Sequence, residues 1–424
     1  MNKFWRITGA ALAGGLLLAS QWLAGSGSAA AAAAVAPREF HLVALGDSIT
    51  AGYEPGMTEA GQAYGYADRL LEQAWYRGER ATLVNEGILG LTSAGLKHYT
   101  AAVRAGTAVK PEEIQAGLAD PRIAAFASGV PQARTDLAAA DLIVITIGGN
   151  DVMDLFKNVQ KLPDPEFQTG FAQRLAGYKE NLTASLANIR SVNPSAVILL
   201  ADQYQPVPSI AGPVYQKLNA AADQFTAAAK EIAAAASTDG GKVVLIPVSE
   251  RFRGAEGSLT HFLKDGDIHP TQDGYERIAQ TFAEAIWSQY RVPAALTVPL
   301  PAGQQPPMTI VVNSTELNTP NKPILKSGQN FLALADVLKA MGVQGKWDNR
   351  TASATIVNGS RTIVITIGSK TMKVNGQPVA LATPAFLQKV GKTDKTYLPL
   401  AALASGLGFD VQYSAHLRTA FINP

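Results

Sequence analysis

Three short polar segments of this chain each lie beside an apolar or helical stretch, and together they carry residues suited to breaking an ester. They are Gly46-Asp47-Ser48, Gly148-Gly149-Asn150-Asp151 and Asp267-Ile268-His269-Pro270. A serine acts as a nucleophile at neutral pH only when a base accepts its proton, and the oxyanion that follows needs donors already in place. The serine, the histidine and the asparagine could supply these three parts.

Each of these residues also has an ordinary interpretation. Ser48 could cap a following helix, Asn150 could simply form a turn, and His269 could be a solvated loop histidine. Gly90 follows a short apolar run and could turn its backbone N–H toward a ligand, or it could be an ordinary loop glycine. The four residues are therefore informative as an ordered set rather than one by one.

Apolar runs alternate with amphipathic stretches from about residue 38 to residue 290, which predicts a parallel sheet covered by helices. The runs predicted as strands are Phe40–Leu45, Thr82–Val84, Leu142–Ile147, Ala196–Leu200 and Lys242–Pro247. The stretches predicted as helices are Tyr66–Tyr76, pieces of Leu96–Ala138, Phe167–Ile189, Val214–Ala236 and Gln272–Tyr290. Parallel sheets place ligand chemistry at the carboxyl ends of their strands, so Ser48, Gly90 and Asn150 should converge there.

The stretch Lys97–Gln132 is longer than a simple crossover between strands requires. We expect it to add helices near the site. Because leucine, isoleucine, valine and phenylalanine occur in it, we also expect it to shape a pocket for an acyl chain.

In this order the segments resemble the SGNH (GDSL) hydrolase family over about residues 38–290. The resemblance implies a three-layer α/β/α flavodoxin-like fold and an esterase or lipase activity. It also implies that Ser48 is the nucleophile and His269 the base, with the Ser48 N–H, Gly90 and Asn150 forming the oxyanion hole. It implies no cofactor, and the five histidines show no spacing typical of a metal site.

The chain departs from the family pattern at the acidic residue expected three positions before the histidine, where it has Gly266. Asp267 lies two positions before His269 and Asp265 four positions before it. Either carboxylate, or the Gly266 carbonyl, could orient the imidazole. We favour Asp267.

Composition narrows the class of protein and its location. The net charge of +2 and the absence of a basic stripe argue against nucleic acid as a partner. There is no cysteine, which excludes disulfides, thiolate metal sites and a lipoprotein anchor. Residues 1–34 are predicted to be a cleaved signal peptide, with Lys3 and Arg6 before an apolar run that is short for a bilayer span. We therefore expect a secreted or cell-surface protein.

The C-terminal part is expected to be separate from the hydrolase domain, which we place at residues 38–291. Residues 292–307 are rich in proline and predict a stiff linker. In residues 308–424, Phe331-Leu332-Ala333-Leu334 matches Tyr397-Leu398-Pro399-Leu400 at a spacing of 66 residues (397 − 331). This repeat predicts a small α+β domain.

The same domain resembles the stalk domain that is also described as copper amine oxidase N-terminal-like. The resemblance implies a spacer or a contact with the cell wall or cell surface, and it does not imply copper. The one histidine of the domain, His416, is expected to be solvated at a hairpin turn.

The sequence thus predicts an exported serine esterase or lipase acting on a lysophospholipid, a short-chain acyl ester or an acetylated glycan. The chain has no Gly-x-Ser-x-Gly motif, which argues against the α/β-hydrolase fold. A second interpretation is an inactive surface-binding protein, which the displaced aspartate would explain. A third is transfer of the acyl group to a sugar through the same acyl-serine.

Overall fold

A computed structural model describes residues 38–57, 62–237, 241–294 and 308–424. The predicted signal peptide and the predicted linker from residue 295 onward lie outside these residues. From Arg38 onward the chain forms one compact unit. None of the helices in the described ranges is both long and apolar enough to cross a bilayer.

The predicted parallel sheet is confirmed, with all five strands close to their expected positions. Its order β2-β1-β3-β4-β5, with every neighbouring pair parallel, is that of a flavodoxin-like fold. In chain order the strands are β1 (Glu39–Gly46), β2 (Arg80–Gly87), β3 (Leu142–Thr146), β4 (Val197–Ala201) and β5 (Val243–Ile246).

Eleven α-helices belong to the described part of this α/β domain. They are α1 (Tyr66–Tyr76), α2 (Ser93–Ala105), α3 (Pro111–Ile114), α4 (Ile123–Ala139), α5 (Met153–Lys157), α6 (Asp164–Val192), α7 (Pro213–Ala236), α8 (Val248–Phe252), α9 (Glu256–Leu259), α10 (Phe262–Asp265) and α11 (Gln272–Trp287). The extra helices predicted within Lys97–Gln132 are α3 and the first part of α4.

Helices cover both faces of the sheet. Because successive side chains of a strand point to opposite faces, each strand contributes to both cores. On β1, Leu42 and Ala44 pack against α1 and α11, while Val43 and Leu45 belong to the core beneath α2, α4, α6 and α7. This is the three-layer α/β/α arrangement, and it explains why the strands are apolar without a polar alternation.

The C-terminal domain is mostly β-structure with two short helices. Its elements are β6 (Thr309–Val312), β7 (Thr315–Glu316), β8 (Ile324–Lys326), β9 (Gln329–Ala333), α12 (Leu334–Met341), β10 (Gln344–Asp348), β11 (Ser353–Asn358), β12 (Arg361–Thr366), β13 (Thr371–Val374), β14 (Gln377–Ala380), β15 (Phe386–Val390), β16 (Thr393–Pro399), α13 (Leu400–Gly406), β17 (Asp410–Ser414) and β18 (Thr419–Asn423).

The 66-residue repeat is visible in these elements, and its two copies interleave. Strand β9 pairs antiparallel with its own counterpart β16, so that Leu332 lies opposite Leu398. Hairpin β17–β18 of the second copy joins β6–β7 of the first in one sheet, and hairpin β10–β11 shares a sheet with β13–β14. The copies therefore form one domain with a common apolar core.

The C-terminal domain packs directly against helix α1 and strand β2. Phe421 of β18 is fully buried, with its ring centroid 4.9 Å from that of Tyr76 and 5.5 Å from that of Trp75. Asn423 donates to the carbonyls of Trp75 at 3.1 Å and Glu79 at 2.9 Å, at the C-terminal end of α1. A domain expected to be a spacer or a surface contact thus also shares a buried interface with the α/β domain.

His416 lies exposed at a hairpin turn, as predicted, but it also makes a contact that the sequence did not indicate. Its ring stacks on Tyr64 of the α/β domain, with centroids 3.7 Å apart and the planes almost parallel. Burial by this contact, together with the nearby Arg69 charge, lowers the pKa of His416. The docking of the domain, which is not visible in the local sequence, brings this turn against Tyr64.

Candidate active site

Ser48 lies in a tight turn directly after β1. Gly46 ends the strand with φ of 146°, and a Cβ atom there would lie 2.0 Å from the Thr146 carbonyl oxygen, so the position requires glycine. The Asp47 carboxylate accepts from the Ile49 N–H at 3.0 Å, which fixes the turn. The next helix, α1, begins only at Tyr66 after Gly65, so Ser48 does not cap it.

His269 reaches Ser48 from the far end of the domain. Its Nε2 lies 2.8 Å from Ser48 Oγ, and its Nδ1 lies 2.6 Å from Asp267 Oδ1. Asp267 also accepts from the backbone N–H of His269 at 2.8 Å. With a proton on Nδ1, the Nε2 lone pair faces the serine hydroxyl, which is the geometry a general base requires.

The displaced aspartate thus still reaches the imidazole. Asp265 points elsewhere, with Oδ2 3.6 Å from Nδ1 of His261. Gly266, with φ of 67°, ends α10 and lets the chain turn before Asp267. Helix α11 begins at Gln272, as predicted, and the side chain of Thr271 caps it by accepting from Gly274 N at 3.2 Å.

Backbone and amide donors surround the serine turn. Among the described residues, the backbone N–H groups of Ser48 and Gly90 have no hydrogen-bond acceptor. Gly90 adopts φ of 80°, a left-handed conformation that suits glycine, and its carbonyl accepts from Gln115. Asn150 uses one amide hydrogen on the Leu91 carbonyl at 2.9 Å, which leaves the second for a ligand.

Asp151 anchors the segment that carries Asn150. Its carboxylate accepts from the Ser93 hydroxyl at 2.5 Å and from the Ser93 N–H at 2.9 Å. Because Ser93 begins α2, this pair ties the loop after β3 to the segment that follows Gly90. The contact therefore sets the distance between the two candidate oxyanion donors.

An apolar cleft, open to solvent, begins beside Ser48, Asn150 and His269. Its wall includes Ile49, Gly149 and Ile268, the chain neighbours of Ser48, Asn150 and His269. Most of the remaining lining is aliphatic or aromatic and comes from α5, α6 and α7: Leu155, Phe156, Phe167, Phe171, Leu218, Ala222 and Phe225. Such a cleft can hold a hydrocarbon chain.

The prediction that Lys97–Gln132 shapes the acyl pocket is wrong, because no residue of that stretch lines the cleft. The stretch instead supports Gly90: Leu118 lies 3.6 Å from the position of a Cβ there, and Gln115 donates to its carbonyl. Apolar composition alone does not show which crossover faces the site and which faces the core.

Sequence reasoning assigned no role to Glu54 and left that of His261 open. Glu54 Oε1 lies 3.0 Å from His261 Nε2, and Glu54 Oε2 accepts from the Gln272 amide at 2.6 Å. The backbone N–H of His261 donates to the His269 carbonyl at 3.0 Å. The only available signal was that Glu54 lies six residues after Ser48 and His261 eight residues before His269.

Two family models match the chain. The family model described as GDSL-like lipase/acylhydrolase matches residues 44–277, and that of the copper amine oxidase N-terminal domain matches residues 311–422. Among solved structures, a lipase from a goat rumen metagenome is 22% identical, with a TM-score of 0.40, over 58% of this chain and 98% of that one. An acetylxylan esterase from Geobacillus stearothermophilus is 19% identical, with a TM-score of 0.39, over 61% and 99%. No curated protein matches the chain.

The buried carboxyl of Asp47 makes a testable contribution to stability. Burial, with a smaller effect from the Asp151 charge, raises its pKa from 3.8 to about 7. Between these values the folded state binds a proton that the unfolded state has lost, so stability falls as pH rises. We expect the unfolding midpoint in urea to fall from pH 4 to pH 7, and to fall less steeply in Asp47→Asn.

Some slope should remain in Asp47→Asn, because burial also raises the pKa of Glu72 to about 7. The exposed Asp273→Asn serves as the control and should keep the slope of the parent protein. An equal slope in the parent and in Asp47→Asn would contradict the assignment.

Proposed function

Since the chain belongs to the GDSL-like lipase/acylhydrolase family, it is a serine ester hydrolase, and we propose that Ser48 is its nucleophile. His269 is the general base, and Asp267 orients it. The observation that carries this proposal is the unbroken line of contacts from Asp267 Oδ1 through His269 to Ser48 Oγ.

In the first half of the reaction, Ser48 Oγ attacks the ester carbonyl carbon while His269 Nε2 takes its proton. The tetrahedral intermediate collapses with cleavage of the bond to the alcohol oxygen, which receives the proton from His269. Asp267 stabilises the imidazolium that exists between these two events. The products are an acyl-Ser48 ester and a free alcohol.

In the second half, water attacks the acyl carbon and gives a proton to His269. Cleavage of the bond to Ser48 Oγ releases the carboxylic acid, and His269 returns the proton to the serine. In both halves negative charge develops on the former carbonyl oxygen. The N–H groups of Ser48 and Gly90 and the amide of Asn150 are the donors proposed to stabilise it.

The preferred substrate is an ester of an apolar acyl chain, such as a lysophospholipid, rather than an acetyl ester. The support is the cleft beside Ser48, because its aromatic and aliphatic lining gains from burying methylene groups, about 0.8 kcal/mol each. An acetyl group would leave most of this lining unused.

Neither alternative function gains support from the site. The inactive surface-binding interpretation rested on the displaced aspartate, but Asp267 Oδ1 lies 2.6 Å from His269 Nδ1, close enough to orient the imidazole. Transfer to a sugar would use the same acyl-enzyme, and the described lining of the cleft beside Ser48 is mostly apolar, which gives a sugar acceptor no advantage over water.

Export is proposed from the first 34 residues, where Lys3 and Arg6 precede an apolar run and a small-residue stretch. N-terminal sequencing of protein secreted by an expressing bacterium should begin after the cleavage site, close to residue 34. Retention of the full N-terminus in that protein would contradict the proposal. A cell-wall or surface contact through the C-terminal domain stays a prediction.

The assigned roles predict distinct kinetic losses on p-nitrophenyl octanoate. Ser48→Ala should lower kcat at least about 10³-fold, because binding and oxyanion donors alone remain. Asp267→Asn should lower it about 10³- to 10⁴-fold, since an amide favours the wrong tautomer of His269. Asp265→Asn is the matched comparison and should cost no more than a few-fold. Equal losses in the two asparagine variants would refute the role of Asp267.

The acyl cleft predicts a dependence on chain length. From acetate to octanoate, kcat/KM should rise by up to about fourfold per methylene until the cleft is filled. Ala222→Leu, which narrows the cleft, should remove this rise while sparing hydrolysis of the acetate. Ala227→Leu, the same change on the exposed face of α7, is the control. If both variants keep the chain-length profile of the parent protein, the cleft does not hold the acyl chain.

A further inference from the structure

The two copies of the C-terminal repeat differ at the residues that touch the α/β domain. Ser414, His416, Phe421 and Asn423 of hairpin β17–β18 all contact it. At the equivalent positions, 66 residues earlier, hairpin β10–β11 has Asp348, Arg350, Thr355 and Val357. Of these, Asp348, Arg350 and Val357 are exposed. The second copy therefore carries side chains adapted to docking, and the first copy does not.

The polar part of this interface is buried and centres on Glu72 of α1. One carboxylate oxygen accepts from the Ser414 hydroxyl at 2.5 Å, and the other accepts from the Tyr64 hydroxyl at 2.7 Å. Glu72 is 4% exposed, and Ser414 is 6% exposed. Because His416 also stacks on the Tyr64 ring, the C-terminal domain fixes the ring directly and the hydroxyl through Glu72.

Arg69 carries the contacts onward from Tyr64 toward the catalytic loops. Its guanidinium lies 3.9 Å from the Tyr64 ring centroid, and it donates to the Tyr64 carbonyl at 2.7 Å. The other end of the same guanidinium donates to Gln272 Oε1 at 2.9 Å. Arg69 is almost fully buried, and its planar group has well-defined partners on both sides, so it holds a fixed position.

Gln272 and Glu54 complete the path to the site. The Gln272 side-chain amide donates to one oxygen of Glu54, and the other oxygen of Glu54 contacts the ring of His261. The backbone N–H of His261 then donates to the His269 carbonyl. Glu54 belongs to the loop that begins with Ser48, and His261 to the loop that ends with His269. The Glu54–His261 contact therefore joins the two loops whose separation sets the distance from Ser48 Oγ to His269 Nε2.

We propose that the C-terminal domain is a positioning part of the esterase: docked on Tyr64 and Glu72, it holds Arg69, Gln272 and Glu54, and through His261 it keeps His269 against Ser48. Glu54 and His261 are positioning residues, because they act through His269 rather than on the substrate. This proposal rests on the assignment of Ser48 and His269 above. It gives the C-terminal domain a role beyond that of a spacer.

The first test concerns His261 itself. His261→Ala should lower kcat on p-nitrophenyl octanoate about 10- to 100-fold, the cost typical of a misplaced reacting group, with KM within about twofold. His261→Gln, which can still donate to Glu54, should recover most of the loss. His41→Ala is the control, because the His41 side chain lies on β1, where it contacts Thr82 and Glu39 rather than the catalytic loops. A change in KM alone, or no recovery with glutamine, would refute the positioning role.

The second test concerns the domain interface. Ser414→Asp gives the second copy the residue that the first copy has at Asp348. The new carboxylate lies against Glu72, so hairpin β17–β18 should detach from the α/β domain. We expect kcat to fall about 5- to 10-fold. Asp348→Ser makes the reverse change on hairpin β10–β11, at a position that is exposed, and should leave kcat unchanged. His416→Ala, at an exposed position where folding is not at risk, should lower kcat about two- to fivefold.

A double-mutant cycle then decides between coupling and separate effects. If Ser414 acts through His261, Ser414→Asp should change kcat by less than twofold in the His261→Ala background. The proposal would be overturned if the losses in kcat of the two single variants multiply in the double variant. It would also be overturned if Ser414→Asp and His416→Ala both keep a kcat within twofold of the parent protein. Ser48→Ala in the same assay separates this failure from that of the proposed function: full activity in Ser48→Ala would refute the assignment of the nucleophile instead.

Discussion

The contact between His269 Nε2 and Ser48 Oγ is the interaction on which the rest of the site depends. It joins residues 221 positions apart (269 − 48), and no local structure could form it. The parallel sheet makes it possible, because strand ends bring Ser48, Gly90 and Asn150 to one rim before the last loop delivers the imidazole. The three layers of the fold serve to hold this rim rigid.

Much of this arrangement follows from the sequence, for physical reasons. Strands buried on both faces are continuous apolar runs, and helices covering them have one apolar face, so the order of elements was predictable. The polar residues of the site interrupt those patterns at the strand ends, which is why Ser48 and Asn150 stand out. Spacing could not identify the carboxylate that is proposed to orient His269, because the left-handed Gly266 sets the path of the chain into Asp267.

Other features depend on how elements pack, and the sequence does not record this directly. The apolar cleft is formed by α5, α6 and α7, yet their side chains read like those of any buried helix. The contact between Glu54 and His261 joins two loops without periodicity. The docking of hairpin β17–β18 is encoded only as a difference between two repeat copies, such as Phe421 where the first copy has Thr355. Each of these depends on long-range complementarity rather than on local pattern.

Two segments that match different family models thus form one compact unit. The claim beneath the whole account is that the fold activates one particular serine. Its most direct test is to label the intact protein with an alkyl p-nitrophenyl phosphonate and to identify the modified peptide by mass spectrometry. We expect one phosphonyl group per chain, on Ser48. A label on another serine, or no label at concentrations that modify other serine esterases, would contradict it.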